Sequence, residues 1–443
     1  MKKFFVVGSP IYHSKSPDIF GELFKKTGIE GYYSKLSLNE FDEICDVAKN
    51  LGIHGVNVTS PFKKRAYEIC LSNGASVSQE ALLSESVNCV LFNSGKIVEC
   101  TNTDVSALVS ILGSLLERLN GKKLRIALLG AGGASQAVLV ALKILNVDNV
   151  EVTLFNRTYE KAYELSKRFE VFPERLNTFI QVYKSFDIVV NCLSDYPENF
   201  SLLDFDDNQV FIDANYRKRV NVHGGVYIPG EVWLIKQALE AFRFFTKSTI
   251  DDSVYDALFE KIGTLDRTDR KGKIVYLVGM PGSGKSTVGK VLASALGFDL
   301  VDMDKLIEKR VGMSINDIFS NYSEAYFRKI ESEVLSEVSK FERVVVSTGG
   351  GVVLCEENRR ILKQGHVVWL WSDIQECAKR VFRKNNRPLL SSDSFEELVS
   401  KMDNLLSNRL EYYLSVADLV LPVDRLNVSQ VAERLQRELG SYV

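Results

Sequence analysis

The stretch KIVYLVGMPGSGKST, residues 273–287, decides the fold of the region around it. Its apolar half predicts a buried strand, and its second half matches the pattern G-x-x-x-x-G-K-[ST] and opens a helix. In such a unit, glycines let backbone N–H groups converge on phosphate oxygens, a lysine adds positive charge, and a hydroxyl faces Mg²⁺. The stretch therefore predicts a nucleotide-phosphate site, a P-loop, formed by Gly282, Ser283, Gly284, Lys285, Ser286 and Thr287.

Strand-length apolar runs alternate with helical periods along almost the whole chain, which predicts an α/β fold. A chain of 443 residues exceeds the size of one hydrophobic core, so two or three domains are expected. The charged, apolar-poor run 265–272 marks the clearest boundary. We expect an α/β domain over residues 1–103, a Rossmann-like unit with C-terminal helices over 104–264, a linker over 265–272, and a P-loop domain similar to nucleoside-monophosphate kinases over 273–443.

Composition excludes several classes of protein. The net charge of −2 gives no reason to expect a nucleic-acid or membrane-surface partner. Seven scattered cysteines without a C-x-x-C pair and only four histidines argue against a zinc or disulfide framework. With no apolar run long enough to span a membrane or act as a signal peptide, we expect a cytoplasmic protein acting on small molecules. The sequence leaves the oligomeric state open.

The region from residue 272 to 430 carries four further motif blocks around the P-loop. They are DMD (302–304), EAYFRKIE (324–331), STGGG (347–351) and RPLL (387–390), followed by Arg409. In this order the blocks resemble shikimate kinase.

This resemblance implies a binding site for shikimate, ATP and Mg²⁺. Asp304 would hold the ring hydroxyls and accept the proton of the attacking one, and Arg328 and Arg409 would grip the carboxylate. A guanidinium fork suits a carboxylate substrate. The remaining roles would fall to Gly349, Gly350 and Gly351 against the ring, to Asp302 and Ser286 at Mg²⁺, to Lys285 as a catalytic residue, and to Arg387 in a lid reaching the phosphates.

A second glycine loop, GAGGA at residues 130–134, follows the apolar strand Leu124–Leu129 and opens a helix. It departs from the dinucleotide fingerprint G-x-G-x-x-G, and alone it would equally suit a tight structural turn. The next predicted strand ends in Asn156, Arg157 and Thr158, where NAD-binding folds place an acidic residue. An arginine there suits the extra phosphate of NADP. The predicted cofactor-binding residues are Gly130, Gly132, Gly133, Ala134, Asn156, Arg157, Thr158 and Gly230.

Residues 3–263 resemble shikimate dehydrogenase. The blocks that carry this resemblance are GSPIYHSKSP (8–17), GVNVTSPFK (55–63), VN (87–88) and NTD (102–104). The resemblance implies that Lys63 donates a proton to the substrate oxygen while NADPH delivers hydride, and that Asp104 keeps Lys63 in place. Substrate would be bound by Ser14, Ser16, Thr59, Asn88, Tyr216 and Gln237.

This half departs from its family pattern at Cys89, Val105 and Leu193, and the segment from Tyr216 to Gly230 is short enough that a connecting helix is expected to be missing. Together the two resemblances imply NADPH-dependent reduction of 3-dehydroshikimate to shikimate and MgATP-dependent phosphorylation of shikimate to shikimate 3-phosphate. The sequence leaves three alternatives open. These are a broad quinate or shikimate oxidoreductase half, a metabolite-sensing regulator, and an N-terminal half with a weak or non-catalytic role.

Overall fold

The computed structural model describes residues 1–119, 123–147, 149–216, 220, 222–251, 253–264, 273–382, 390, 392 and 394–443. The predicted linker 265–272 and the predicted lid residue Arg387 lie outside these residues. Among the described helices, none is both long enough and apolar enough to cross a membrane.

The first hundred residues form a mixed sheet flanked by helices. Parallel strands lie at its centre because β1 pairs with both β2 and β3, whereas β5 and β6 form an antiparallel hairpin. Its strands are β1 Lys2–Gly8, β2 Gly31–Ser37, β3 Gly55–Val58, β4 Ser76–Val77, β5 Cys89–Asn93 and β6 Lys96–Thr101. Its helices are α1 Ser16–Thr27, α2 Ile44–Leu51, α3 Lys63–Ser72 and α4 Gln79–Ser84.

The middle of the chain forms a separate six-stranded sheet that is parallel throughout, with the order β12-β11-β10-β7-β8-β9. Its strands are β7 Leu124–Leu129, β8 Val150–Asn156, β9 Phe172–Arg175, β10 Ile188–Asn191, β11 Asp204–Asp213 and β12 His223–Ile228. The helices of this part are α5 Thr103–Arg118, α6 Gly133–Leu145, α7 Tyr159–Phe169, α8 Phe179–Val182, α9 Gly230–Thr246 and α10 Ser253–Thr264. Helix α9 returns to the first domain, since Ile235 and Phe242 share a core with Phe4 and Phe20.

The C-terminal part contributes five parallel strands in the order β14-β15-β13-β16-β17. They are β13 Ile274–Val278, β14 Asp299–Asp302, β15 Val344–Ser347, β16 His366–Trp371 and β17 Leu419–Pro422. The helices are α11 Lys285–Leu296, α12 Met303–Val311, α13 Ile315–Asn321, α14 Glu324–Val338, α15 Glu356–Leu362, α16 Ile374–Phe382, α17 Phe395–Val416 and α18 Val428–Leu439.

The C-terminal strands and the N-terminal strands belong to one sheet. Strand β17 lies parallel to β2, with Val420 opposite Leu36, so the described residues form an 11-stranded sheet. Hydrophobic cores cross the junction on both faces: Phe5 and Tyr276 belong to one core, Val6 and Leu277 to the other. Because these strands are parallel, the loops after β1, β3 and β13 lie along the same edge of the sheet, where α/β folds bind their ligands.

The predicted α/β class is confirmed. Strand β12, in the short segment before Gly230, was not predicted. In its sequence HGGVYI, Gly224 and Gly225 both have positive φ, and glycine is not typical of a strand interior. A Cβ on Gly224 would lie 1.9 Å from the carbonyl oxygen of Phe205, so only glycine allows this strand to pair closely with β11.

Candidate active sites

The P-loop connects β13 to α11 and is shaped by glycines. Gly279, Gly282 and Gly284 all have positive φ, and a Cβ on Gly282 would lie 2.5 Å from the carbonyl oxygen of Cys377. The Lys285 ammonium lies within the loop and donates to the carbonyl oxygens of Gly279 (2.8 Å) and Met280 (3.0 Å). The loop therefore presents backbone and a lysine to one concave space at the N-terminus of α11.

A cavity of about 770 Å³ opens at this loop. Its wall contains the P-loop, the ends of β14 and β15, and residues from α14 and α17. The predicted kinase residues on this wall are Gly282, Gly284, Lys285, Ser286, Thr287, Asp302, Asp304, Arg328, Gly349, Gly350, Gly351 and Arg409. Ser283 is not on the wall; its hydroxyl is buried and has no hydrogen-bond partner among the described residues. Residues more than 100 positions apart therefore meet around one cavity.

The residues suited to Mg²⁺ lie side by side. Asp302 is the last residue of β14 and pairs in register with Ser347 of β15. The Oγ atoms of Ser347 and Ser286 are 3.1 Å apart. The Asp302 carboxylate also accepts the backbone N–H of Lys305 at the start of α12. A hydroxyl and a carboxylate beside the P-loop are the oxygen ligands that Mg²⁺ prefers.

Two arginines face the glycine run after β15. Arg328 donates to Glu331 (2.8 Å) and to Glu324 (2.9 Å), and Arg409 donates to the carbonyl oxygen of Gly350 (3.1 Å). A Cβ on Gly351 would lie 2.3 Å from the Arg328 guanidinium, so glycine is required for the arginine to pack there.

Glu331 is a site residue to which the sequence assigned no role. It is fully buried, and its Oε1 atom has no hydrogen-bond partner among the described residues. Burial raises the pKa of this carboxyl, and the Arg328 guanidinium opposes the rise. A glutamate three residues after an arginine on a helix usually indicates an ion pair at the protein surface. Here the Glu331 side chain is buried, and it therefore fixes Arg328 beside the cavity.

In the N-terminal half, Lys63 and Asp104 form an ion pair. The Nζ–Oδ2 distance is 2.6 Å, and both side chains are partly exposed. Lys63 begins α3 and Asp104 lies in the first turn of α5, so two helix starts bring them together. The N-cap of α5 is Asn102, whose side chain accepts the backbone N–H of Asp104.

Five of the predicted substrate-binding residues lie in the loops after β1 and β3, at the start of α1, immediately before β5, and in α9. The Oγ atom of Ser14, in the loop after β1, is 3.2 Å from that of Ser16, the first residue of α1. Thr59 follows β3, and its backbone N–H donates to the carbonyl oxygen of Val7 (2.9 Å). Asn88 accepts the backbone N–H of Thr103 (2.8 Å), next to Asp104. Gln237 lies on α9, where its side-chain amide donates to the carbonyl oxygen of Leu234.

Cys89 fills a buried position in the same domain. Its sulfur accepts from Asn57 Nδ2 at 3.0 Å and lies 3.6 Å from the Thr103 hydroxyl. Burial raises the pKa of this thiol well above its ordinary value, so the neutral form is present at physiological pH. The departure from the family pattern thus places a neutral, hydrogen-bonded group next to the start of α5.

The second glycine loop joins β7 to α6. Gly130 has positive φ, and its backbone N–H donates to the carbonyl oxygen of Phe155 (2.7 Å). A Cβ on Gly132 or Gly133 would meet open space, and Ala134 follows in the first turn of α6. An unobstructed helix N-terminus at the edge of a parallel sheet fits a pyrophosphate.

Strand β8 ends beside the second glycine loop. Asn156 is the last residue of the strand, and its side-chain amide donates to the carbonyl oxygen of Thr158. Arg157 and Thr158 are exposed, and the Arg157 guanidinium donates to the carbonyl oxygen of Asp195 (3.4 Å). The strand therefore presents a cation where NAD-specific folds present a carboxylate.

The segment around Tyr216 is fixed by a buried aspartate that the sequence did not single out. Asp213, the last residue of β11, accepts from Asn191 Nδ2 (2.9 Å), the Tyr196 hydroxyl (2.5 Å) and the backbone N–H of Asn215 (2.9 Å). Gly230 packs beside Tyr216, since a Cβ on this glycine would lie 2.8 Å from the Tyr216 backbone nitrogen. Asp213 therefore holds the chain that leads to two predicted site residues.

Family models match three stretches of the chain. Residues 6–90 match the shikimate dehydrogenase substrate binding domain, 113–198 match shikimate / quinate 5-dehydrogenase, and 281–440 match shikimate kinase. The shikimate kinase of Thermodesulfovibrio yellowstonii is 40% identical over 167 residues, which are 38% of this chain and 94% of that protein. The shikimate kinase of Synechococcus elongatus is 48% identical over 127 residues, which are 29% of this chain and 67% of that protein.

The N-terminal half is similar to a solved structure, shikimate dehydrogenase from Aquifex aeolicus. The TM-score is 0.51 at 29% sequence identity, and the match covers 60% of this chain and 98% of that one. These matches do not favour the alternatives of a regulator or a non-catalytic N-terminal half. Through its C-terminal part the chain belongs to the shikimate kinase family, and it carries the two domains of a shikimate dehydrogenase ahead of that part, which makes it a bifunctional enzyme of the shikimate pathway.

Proposed function

We propose that the N-terminal half reduces 3-dehydroshikimate to shikimate with NADPH, and that the C-terminal half phosphorylates shikimate to shikimate 3-phosphate with MgATP. The observation that carries the proposal is the 2.6 Å ion pair between Lys63 and Asp104, because it supplies a proton donor in the half whose sequence departs most from its family. The cavity around the P-loop supports the second reaction.

In the first reaction, Lys63 donates the proton that the ketone oxygen needs as it becomes a hydroxyl. Asp104 holds the ammonium in one orientation. The Ser14 and Ser16 hydroxyls bind the substrate carboxylate, and Thr59, Asn88, Tyr216 and Gln237 bind the rest of the substrate. When bound, NADPH supplies the hydride. The open N-terminus of α6 and the Arg157 guanidinium fit its phosphates.

In the second reaction, Arg328 and Arg409 bind the shikimate carboxylate, and Asp304 accepts the proton of the attacking hydroxyl. Glu331 keeps Arg328 against the glycine run. Lys285 and the P-loop amides neutralise the phosphate charge, and Ser286 and Asp302 would hold Mg²⁺. Phosphoryl transfer depends mainly on positioning and charge neutralisation, and this wall provides both.

The proposal includes a cytoplasmic location and small-molecule substrates. All seven cysteines are free thiols, which fits a reducing compartment.

The test is one incubation of the full chain with 3-dehydroshikimate, NADPH and MgATP. The loss of NADPH absorbance is followed and the products are identified. We expect shikimate 3-phosphate from the ketone. Lys63→Met should lower the reduction rate about 10³-fold, because it removes the proton donor, and leave phosphorylation of added shikimate intact. Lys64→Met, an exposed neighbour on the same helix, is the matched control.

Two results would contradict the proposal. If only added shikimate is phosphorylated by the wild-type chain, the N-terminal half acts on another substrate. Comparable turnover of quinate with NAD would identify it as a broader oxidoreductase.

A further inference from the structure

The last helix of the kinase part, α18, reaches across the junction of the 11-stranded sheet to the loop after β1. Glu438 on this helix is only 2% exposed. Its Oε2 atom accepts the backbone N–H groups of Ile11 (2.7 Å) and Tyr12 (2.8 Å), and its Oε1 atom accepts the Ser37 hydroxyl (2.7 Å). One buried carboxylate of the kinase part therefore binds the loop after β1 and the last residue of β2.

Other groups from the kinase part hold the same loop. Arg434, one turn before Glu438, donates to the carbonyl oxygen of Leu38 and to the Ser9 hydroxyl (3.3 Å). The Tyr12 hydroxyl lies 2.6 Å from His366 Nδ1, and the Tyr12 ring packs edge-on against Tyr442 at 5.0 Å. The loop is thus enclosed by β16, α18 and the residues after α18.

This loop and the first residue of α1 also carry the serines proposed to bind the dehydrogenase substrate. The Ser14 backbone N–H donates to the carbonyl oxygen of Ile11 (3.0 Å), and the Ser14 hydroxyl contacts both the N–H and the Oγ of Ser16. Ile11 therefore joins two hydrogen bonds: its N–H donates to Glu438, and its carbonyl accepts from Ser14. The serine pair is one turn away from a residue of the other enzyme.

We infer that Glu438 is a positioning residue for the dehydrogenase reaction, through which the kinase part fixes the loop that binds the dehydrogenase substrate. This inference rests on the proposed function of Ser14 and Ser16. Removing the carboxylate leaves two buried N–H groups and a buried hydroxyl without their acceptor. The loop is then held only by its other contacts, and the serine hydroxyls meet the substrate carboxylate in more than one orientation.

The expected kinetic signature is specific. The serines would bind a carboxylate that does not react, so their displacement weakens ground-state and transition-state binding alike. Glu438→Ala should therefore raise the dehydrogenase KM for 3-dehydroshikimate on the order of tenfold, with kcat changed far less. The kinase constants for shikimate and ATP should stay within about twofold, because Glu438 is not on the wall of the kinase cavity.

The experiment measures both activities on the full-length wild type, Glu438→Ala, Glu438→Gln and Glu433→Ala. In Glu438→Gln the amide oxygen can accept both N–H groups while its NH₂ donates to Ser37, so the dehydrogenase KM should return close to the wild-type value. Glu433 lies on the same helix with a side chain 70% exposed, and Glu433→Ala should behave as wild type.

A wild-type dehydrogenase KM in Glu438→Ala would overturn the inference. A wild type that does not reduce 3-dehydroshikimate would overturn the proposed function instead. If Glu438→Ala loses both activities by unfolding, Glu438→Asp decides. It keeps the charge but retracts the carboxylate by one methylene, and an unchanged KM in that variant would also overturn the inference.

Discussion

The two glycine loops of this chain resemble each other in sequence context and differ in physical design. Each follows a parallel strand and opens a helix. In the P-loop, Gly279, Gly282 and Gly284 all have positive φ, whereas in the second loop only Gly130 does. A Cβ on Gly282 would collide with a carbonyl oxygen, whereas one on Gly132 would meet open space.

The two loops therefore show two different reasons for having glycine at a helix N-terminus. The P-loop glycines are needed by the protein itself, because its backbone follows a path that other residues cannot adopt without strain. A Cβ on Gly132 or Gly133 would meet no atom within 4 Å, and we propose that glycine here lets a ligand approach the backbone closely. Substitutions in the two loops should therefore separate folding from cofactor binding.

The largest effect is expected from Gly282→Ala. Alanine at this positive φ costs about 1–2 kcal/mol, and its Cβ would displace the Cys377 carbonyl, so the kinase part should be destabilised by at least about 2 kcal/mol. Phosphorylation of shikimate should fall about 100-fold or more, because the amides around the phosphates lose their alignment. Urea unfolding followed by tryptophan fluorescence, to which Trp369 and Trp371 in β16 and Trp233 in α9 contribute, together with the kinase assay, measures both effects.

Reduction of 3-dehydroshikimate by Gly282→Ala serves as the internal control and should change little. A variant with wild-type stability and kinase activity would show that the glycine conformation is dispensable, and the contrast between the loops would fail.

The difference between the loops was only partly predictable. Both strand–loop–helix units were predicted from the apolar runs and the glycine spacing. The spacing did not show which glycines were sterically required, because that depends on carbonyl groups such as that of Cys377, far away in the sequence.

Contacts between the halves could not be predicted for a related reason. The pairing of β17 with β2 joins residues nearly 400 positions apart. No local sequence pattern specifies which two edge strands will pair with each other. Glu438, in the run Arg434 to Glu438, has the sequence of an exposed helical face. Glu438 is buried because the loop after β1, which is distant in the sequence, packs beside it.

A smaller effect is expected from Arg157→Asp, which tests whether the residue after β8 binds the extra phosphate of NADPH. The change replaces an exposed cation at the end of β8 with the carboxylate typical of NAD-binding folds. We expect kcat/KM with NADPH to fall about 30-fold, because a charge-assisted contact with the extra phosphate becomes a repulsion. Activity with NADH should rise relative to NADPH. Steady-state rates with both cofactors measure the change.

Lys161→Asp is the matched control, since it makes the same charge change at an exposed position in the first turn of α7. An equal loss in both variants would indicate a general electrostatic effect, and no loss in either would remove Arg157 from the cofactor site.

The smallest effect on folding is expected from Gly132→Ala, the counterpart of Gly282→Ala. Gly132 has φ −102°, an ordinary value for alanine, and nothing lies within 4 Å of the added Cβ. The free energy of unfolding should therefore stay within about 0.5 kcal/mol of wild type. The KM for NADPH should nevertheless rise severalfold, because the methyl group occupies space that the pyrophosphate requires. Urea unfolding and cofactor titration on the same preparation separate the two quantities. A stable variant with an unchanged KM for NADPH would mean that the cofactor does not bind in the open space at the N-terminus of α6.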